Sequence, residues 1–270
     1  LFRSEGNYED ALKNISSAES ALEDKEWGEI YTTYYKGLCL IAMGGANTVK
    51  GIEELKSFET KSRWKSSRLV PHAIYHIALA SQEAERYKEA EEAFKTLSTD
   101  RRFSDNWKFQ GRIGLGEVKY EQNQWNDARR IFEQIQREAK SARDKGLENK
   151  ASVYIGKCYA ASNEMDKAKK IFDGILEQDS RELSKEVKAA AHNGLGDYFK
   201  SKGSDKENTK EALLHYLKVA TLYSVARAEY AKALYMAAKC FETLGQKARG
   251  TTLKNELKKR CPGSQWSRKR

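Results

Sequence analysis

One stretch of the chain, residues 153–175, reads VYIGKCYAASNEMDKAKKIFDGI. It places the small residue Gly156 in an apolar run and a second small residue, Ala168, twelve positions later. The bulky apolar residues Phe172 and Ile175 follow four and seven positions after Ala168. Two antiparallel helices need a small side chain where their axes come closest, and the i, i+4, i+7 spacing places large apolar side chains along one face of the second helix. The stretch therefore predicts a closely packed helix pair.

The same pattern recurs along the whole chain. Its second half occurs at Ala11-Ile15-Ala18, Gly51-Leu55-Phe58, Ala90-Phe94-Leu97, Ala128-Phe132-Ile135, Ala168-Phe172-Ile175 and Ala212-Tyr216-Val219, with a weaker copy at Gly250-Lys254-Leu257. Its first half is a small residue 12 to 16 positions earlier: Gly37, Ala78, Gly116, Gly156, Gly196 and Ala238. Because neither helix of such a pair can bury its apolar face alone, consecutive pairs stack on one another. The sequence thus predicts an all-α solenoid of tandem antiparallel helix pairs that repeat every 38 to 44 residues.

The composition agrees with an all-helical chain. There are only two prolines, Pro71 and Pro262, whereas a β-sandwich or barrel needs frequent Gly and Pro between short strands. Charged residues make up 33 %, which suits helices with solvated outer faces. No apolar run approaches the roughly 18 residues that a membrane-spanning helix requires.

The repeated residues resemble those of the tetratricopeptide repeat family. The Leu-Gly pair of that family is matched at Leu115-Gly116, Ile155-Gly156 and Leu195-Gly196, and its following aromatic at Tyr159, Phe199 and Phe241. Its Ala and Phe are matched at Ala90/Phe94, Ala128/Phe132 and Ala168/Phe172, and its terminating proline at Pro262. The repeats are longer than the standard length of about 34 residues, and the early tryptophan of the motif is mostly absent. The resemblance implies a right-handed α-solenoid that serves as a protein-binding scaffold and not as an enzyme.

The pattern also predicts how the chain is divided. Residues 1–262 form a single solenoid, and residues 263–270 form a basic tail. A leading helix lies in 1–26, followed by helix pairs near 27–66, 67–104, 105–144, 145–182, 183–226 and 227–262. Insertions rich in turn-forming residues fall at 44–47 and 203–208.

The resemblance further implies where a partner binds. In the family, the first helices of the pairs line a groove, and side chains that flank the small residue face the ligand. The candidate groove residues are Tyr34, Leu38, His72, Tyr75, Leu79, Glu117, Lys157, Asn193, Asp197, Tyr235 and Lys239. They are aromatic and apolar towards the N-terminal end and charged towards the C-terminal end, which suits a partner helix or extended peptide. The Lys and Asn pair with which some members hold a carboxyl terminus is not found in any one repeat.

No catalytic, metal or cofactor site is predicted. Cys39, Cys158 and Cys240 each stand two positions after the small residue of a first helix, so we interpret them as equivalent packing positions. His72 and His76 have the i, i+4 spacing of metal-binding histidines but no evident third ligand. The glycine strings 111–116 and 194–196 lack the phosphate-loop form and are interpreted as helix contacts.

The basic charge leaves a second function open. Residues 246–270 carry nine Lys or Arg and one acid, that is +8 of the chain's net +10. Such a segment can bind nucleic acid or an anionic surface. The basic stretch 61–68 around Trp64 can stack a nucleic-acid base, but an inter-repeat turn anchored by Trp64 explains it better.

Two expectations concern the context of the chain. The ending LKNELKKRCPGS at 253–264 resembles bacterial cell-envelope members of the family, which favours the periplasm or envelope over the cytoplasm. The sequence begins at Leu1 inside the repeat pattern, so we expect further sequence upstream, which can carry an anchor or an enzyme. The partner and the oligomeric state are left open.

Overall fold

The computed structural model describes residues 7–22, 25–178 and 183–269. This part of the chain holds fourteen α-helices and one short 3-10 helix, and no strand. The first seven are α1 (Tyr8–Ala21), α2 (Glu26–Met43), α3 (Ala46–Thr60), α4 (Val70–Glu83), α5 (Tyr87–Thr99), α6 (Asp105–Glu121) and α7 (Trp125–Ser141). The others are α8 (Lys145–Ala161), α9 (Met165–Leu176), α10 (Lys185–Lys202), α11 (Lys206–Leu222), α12 (Arg227–Thr243), α13 (Lys247–Arg260) and α14 (Gln265–Arg268), and the 3-10 helix is Ser62–Trp64.

The chain divides into two compact units. The N-terminal unit, residues 1–122, contains α1 to α6, and the C-terminal unit, residues 123–270, contains α7 to α14. Within each unit every helix packs against the next one in the chain. The predicted fold class, all-α with tandem packed helix pairs, is therefore confirmed. The single solenoid over 1–262 and its pair boundaries stay a prediction.

Small residues lie where the paired helices approach each other. A Cβ added to Gly51 in α3 would lie 2.6 Å from the carbonyl oxygen of Gly37 in α2. In the C-terminal unit, a Cβ at Gly156 would lie 2.7 Å from a ring carbon of Phe172, and one at Gly196 would lie 2.5 Å from the ring of Tyr216. Real Cβ atoms do not approach that closely, so larger side chains would push the paired helices apart.

The glycine strings act as helix contacts between successive pairs. A Cβ at Gly114 in α6 would lie 2.2 Å from the ring of Phe94 in α5. The same relation holds for Gly194 in α10 and Phe172 in α9, again at 2.2 Å. The phenylalanine ring of one pair thus packs directly on the backbone of the next first helix, as the sequence interpretation expected.

The turns follow the predicted chemistry. Gly44 and Gly45 have φ values of 75° and 57° between α2 and α3, in the left-handed region that favours glycine. Asp205 caps α11, since its side chain accepts hydrogen bonds from the backbone N–H groups of Glu207 and Asn208 at 3.0 and 2.9 Å. Both predicted insertions are therefore tight turns that start a second helix.

The basic-aromatic stretch 61–68 is a structural turn. The Trp64 side chain is 0 % exposed, its ring centroid lies 5.2 Å from that of Phe58, and the Lys61 ammonium lies 4.1 Å from the Trp64 centroid. A ring buried in this way cannot stack on a base. The turn interpretation is confirmed, and base stacking at Trp64 is wrong.

Candidate functional site

The first helices of successive pairs adjoin one another within each unit. In the N-terminal unit α2 contacts α4 and α4 contacts α6, and in the C-terminal unit α8 contacts α10 and α10 contacts α12. Side chains from three helices therefore meet on one face of each unit. We call these the N-terminal and the C-terminal first-helix surface.

The N-terminal first-helix surface carries a row of aromatic rings. Tyr34 in α2 lies 6.2 Å from His76 in α4, and Tyr75 in α4 lies 5.7 Å from Trp107 in α6, measured between ring centroids. The His72 ring meets Trp107 edge-on at 4.7 Å. Such edge-on and tilted contacts are favourable and hold the rings in fixed positions. The row links all three helices of the surface.

The candidate groove residues of this unit differ in exposure. Tyr34 and Leu38 are buried, Tyr75 and Leu79 are half-buried, and His72 is exposed. Tyr35, next to Tyr34, is 50 % exposed and its ring meets that of Tyr34 at 5.3 Å. Tyr34 and Leu38 therefore support the surface from below, while Tyr35 and His72 face solvent.

Burial shapes the chemistry of Tyr75. Its half-buried hydroxyl has a raised pKa, first because burial disfavours the phenolate and second because the nearby Glu117 carboxylate repels it. Tyr75 is thus a neutral phenol that can donate or accept a hydrogen bond. Glu117, in α6, is the one charged candidate residue of this unit, and it lies close to the aromatic row.

In the C-terminal unit the candidate residues are joined by ionic contacts. The Glu229 carboxylate, at the start of α12, binds the Lys157 ammonium of α8 and the Asn193 amide of α10, both at 2.7 Å. The Asn193 amide also donates to the Glu229 backbone carbonyl at 2.9 Å, and its side chain is 1 % exposed. Asn193 therefore positions Glu229 from below and ties three first helices together.

Glu229 is an ionised carboxylate in a partly buried place. Burial by itself would raise its pKa, but Lys157, Asn193 and Lys232 more than offset this and hold the pKa below its ordinary value. The negative charge of Glu229 is consequently neutralised by groups of the protein itself.

The remaining candidate residues lie further along α10 and α12. Asp197 accepts a hydrogen bond from the Tyr216 hydroxyl at 2.7 Å and forms an ion pair with Lys232. The Tyr235 ring lies 5.4 Å from Trp266 in α14, and the Lys239 ammonium pairs with Glu242 at 3.7 Å. This end of the surface is thus partly covered by α14.

A cleft opens between α8 and the N-terminal parts of α10 and α12. It encloses about 480 Å³. Its apolar lining includes Val153, Tyr154, Val187, Ala190 and Val225. Its charged lining residues are Lys150, Arg227, Glu186 and the Lys157–Glu229 pair. We call it the C-terminal cleft; its volume falls in the range of ligand pockets, roughly 300–1,000 Å³.

Sequence reasoning missed Trp107, Val187 and Glu229. All three lie nine positions before the small residue of their first helix, which is Gly116, Gly196 and Ala238, respectively. This register is the first turn of the helix, six or ten residues before the positions that the family resemblance selected. The repeat register itself would have found them.

A family model for the tetratricopeptide repeat matches residues 113–141 and 150–180. These two segments carry tetratricopeptide repeats. The second match covers most of α8 and all of α9, which contain the Gly156, Ala168 and Phe172 pattern. The predicted resemblance is thereby confirmed. No protein sequence among the curated proteins matches this chain.

Solved structures share the fold of this repeat protein. The apo form of the quorum sensor NprR from B. thuringiensis superimposes with a TM-score of 0.64 at 12 % identity, over 96 % of this chain and 73 % of that one. The structure of pilF from Pseudomonas aeruginosa superimposes with a TM-score of 0.50 at 16 % identity, over 94 % of this chain and 97 % of that one. The likeness concerns the fold.

Cysteines and histidines are the side chains most often found in thiol and metal centres. Burial raises the pKa of the Cys158 thiol to about 12, so it is protonated at neutral pH. Among the described residues, no group of three or more His, Cys, Asp or Glu side chains is placed to hold a metal ion. His72 and His76 lie instead in the aromatic row.

In the part of the chain that the structure describes, no helix is both long and apolar enough to cross a membrane.

Proposed function

We propose that this tetratricopeptide repeat protein is a non-enzymatic scaffold that holds a partner helix or an extended peptide on its first-helix surfaces. The observation that carries the proposal is the aromatic row of the N-terminal unit, which presents Tyr35 and His72 to solvent above buried Tyr34. The fold is typical of protein-protein interaction scaffolds, and the row supplies the chemistry that such a surface needs.

Aromatic side chains suit this task for a physical reason. They bury a large area on binding and lose little rotamer freedom, which is why Tyr and Trp dominate the energetics of protein interfaces. In this unit the contacts among Tyr34, His76, Tyr75 and Trp107 already fix several rings, so little ordering is required when a partner binds.

Site-specific photocrosslinking tests where a partner lies. A benzophenone amino acid replaces Tyr35 or His72 on the first-helix surface, and Lys95 or Lys170 on second helices serves as the control, since all four side chains are exposed. After irradiation in native extract, we expect discrete protein adducts from Tyr35 and His72 only. Equal adducts from the control positions would contradict the proposed surface.

The same residues allow a quantitative test once a crosslinked protein is identified. Each of Tyr35→Ala and His72→Ala should weaken its binding by about tenfold, the effect of truncating a strong aromatic contact. Lys95→Ala is the matched control and should leave the affinity unchanged. Isothermal titration calorimetry at fixed salt measures all three.

A second candidate function rests on the basic C-terminal region. Lys247, Arg249, Lys258, Lys259, Arg260, Arg268 and Lys269 are all exposed. Such a set supports binding of nucleic acid or an anionic surface. Lys258→Glu with Lys259→Glu should then weaken binding to duplex DNA or anionic vesicles and flatten its salt dependence. If neither the affinity nor the salt slope changes, this candidate fails.

The location of the protein is part of the proposal. The resemblance of residues 253–264 to cell-envelope repeat proteins supports a periplasmic or envelope location in a bacterium. Fractionation of the source cells with an antibody against this chain tests it. Recovery in the cytoplasmic fraction alone would contradict the envelope location and leave the scaffold function untouched.

A further inference from the structure

The C-terminal cleft has an apolar lining and two unpaired cations beside it. Val153 and Tyr154 come from α8, Val187 and Ala190 from α10, and Val225 precedes α12. Lys150 and Arg227 also line the cleft, and neither forms an ion pair with a described residue.

The charges around the cleft are not balanced. Lys157 and Glu229 neutralise each other across it at 2.7 Å. Among the described residues that line the cleft, this leaves the cations of Lys150 and Arg227 against one exposed carboxylate, that of Glu186. The first turns of α8, α10 and α12 also border the cleft, and the positive ends of the helix dipoles add to the same field. The cleft therefore favours an apolar group that has negative charge close by.

We propose that the C-terminal cleft binds an internal segment of a partner protein in which an apolar side chain is flanked by carboxylate side chains. The apolar side chain fills the space over Val153, Val187 and Ala190, and the flanking carboxylates pair with Lys150 and Arg227. This inference rests on the proposed scaffold function and adds the sequence preference of the partner.

A peptide array tests the preference. Its peptides have acetylated and amidated ends, so that no terminal carboxylate is present, and their centre is Leu, Phe or Ser between flanks of Glu, Gln or Lys. We expect the Leu and Phe peptides with Glu flanks to bind about fivefold to tenfold more tightly than those with Gln flanks, since two exposed ion pairs form. Peptides with a Ser centre should bind weakly, whatever their flanks.

Charge reversal tests whether the C-terminal cleft is the binding site of these peptides. The variant Lys150→Glu with Arg227→Glu should lose the preference for Glu flanks and acquire one for Lys flanks. The control Lys170→Glu with Lys210→Glu makes the same change of net charge at exposed, unpaired lysines of α9 and α11 and should keep the original preference. Circular dichroism confirms that both variants are folded.

Several results would overturn the inference: equal binding with Glu and Gln flanks, a preference of the unaltered protein for Lys flanks, an unchanged preference in the Lys150→Glu and Arg227→Glu variant, or no binding by any peptide. In each of these cases, adducts from Tyr35 and His72 would still support the scaffold function. The two proposals therefore fail separately.

Discussion

Single residues set the spacing of the helices. The Phe172 ring lies against Gly156 of its own pair and against Gly194 of the following pair. The sequence predicted the first contact, because Gly156 and Phe172 belong to the repeating pattern. It predicted the second only as a helix contact of unspecified partner, since nothing in the spacing says which ring meets Gly194.

Two glycine substitutions should have opposite effects. In Gly194→Ala the new Cβ would lie 2.2 Å from the Phe172 ring, so α9 and α10 must shift, and we expect a loss of about 1–3 kcal/mol in the free energy of unfolding. Gly174, in the last turn of α9, has nothing within 4 Å of such a Cβ. Gly174→Ala should therefore stabilise the protein by about 0.5–1 kcal/mol. Urea unfolding at pH 7 measures both, and destabilisation by Gly174→Ala would contradict the packing argument.

The Lys157–Glu229 pair supports a third residue-scale prediction. Lys157→Met leaves the Glu229 carboxylate without its hydrogen-bonded cation. The side chains of the pair are 31 % and 16 % exposed, so solvent replaces only part of the interaction. We expect a loss of about 1–3 kcal/mol in the free energy of unfolding at pH 7.

The pH dependence gives the control for this pair. The pKa of Glu229 is lowered in the folded protein. The carboxylate therefore contributes to the free energy of unfolding above its unfolded pKa, and this contribution is lost as pH falls through its folded pKa. Glu229→Gln should remove this contribution. Adding Lys157→Met to the Glu229→Gln variant should then lower the free energy of unfolding much less than it does in the unaltered protein. Equal effects of Lys157→Met in both backgrounds, in urea unfolding at pH 7, would show that the pair is not coupled.

The candidate site shows what the residue pattern could and could not predict. Lys157 and Asn193 were singled out as candidates because the family resemblance selects positions next to the small residue of each first helix. Glu229, which binds both, was not, because pairing across 36 and 72 positions of sequence depends on how three helices stack. Charge alone did not single it out among 39 acidic residues.

At the scale of the helices, the repeating pattern was sufficient to predict an all-helical chain in which consecutive helices pack. What joins a pair in detail was not predictable. The Nδ1 atoms of His192 in α10 and His215 in α11 lie 3.1 Å apart, and Phe199 and Tyr223 stack on their rings. The sequence shows two separate histidines 23 positions apart, and only the packed pair brings them together.

This histidine pair should make the stability depend on pH. Burial, together with repulsion from His215 and Lys218, lowers the pKa of His192 to about 4. Burial and then Lys218 lower that of His215 to about 4, with Lys169 acting in the same direction and Asp173 against it. Both rings are thus neutral in the folded protein at pH 5 to 6, where unfolded histidines, with a pKa of about 6.5, take up protons.

Protons taken up by the unfolded histidines lower the stability of the folded protein as pH falls. Because the folded pKa values are lowered, the neutral histidine pair makes its full contribution to the free energy of unfolding above a pH of about 6.5. This contribution is lost as pH falls towards 4, and the loss is on the order of 2 kcal/mol because the pair is partly solvated. His215→Gln should flatten the dependence of the free energy of unfolding between pH 6.5 and 5, where Glu229 does not yet contribute. An unchanged slope in that window would contradict the prediction.

At the scale of the whole molecule, each unit has its own buried core. Phe58, Trp64, Phe94 and Leu97 lie in one hydrophobic cluster of the N-terminal unit, and the clusters of the C-terminal unit include that around Phe172 and Ile175. The division between Gln122 and Asn123 was not predictable. It falls between Gly116 and Ala128, where the repeat pattern keeps its regular spacing of 12 residues, so composition and periodicity give no sign of it.

Repeat proteins derive their stability from individual repeats and their nearest neighbours, so a cavity should act locally. Phe172→Ala and Phe94→Ala each remove a fully buried ring that packs on two helices, at a cost of about 3–5 kcal/mol. Hydrogen exchange with mass spectrometry should show faster exchange in α8 to α10 for Phe172→Ala, with α4 and α5 unchanged. Phe94→Ala should give the reverse, so the two variants control each other. If either variant accelerates exchange equally in both units, the chain unfolds as one cooperative body, and the independence of the two cores is wrong.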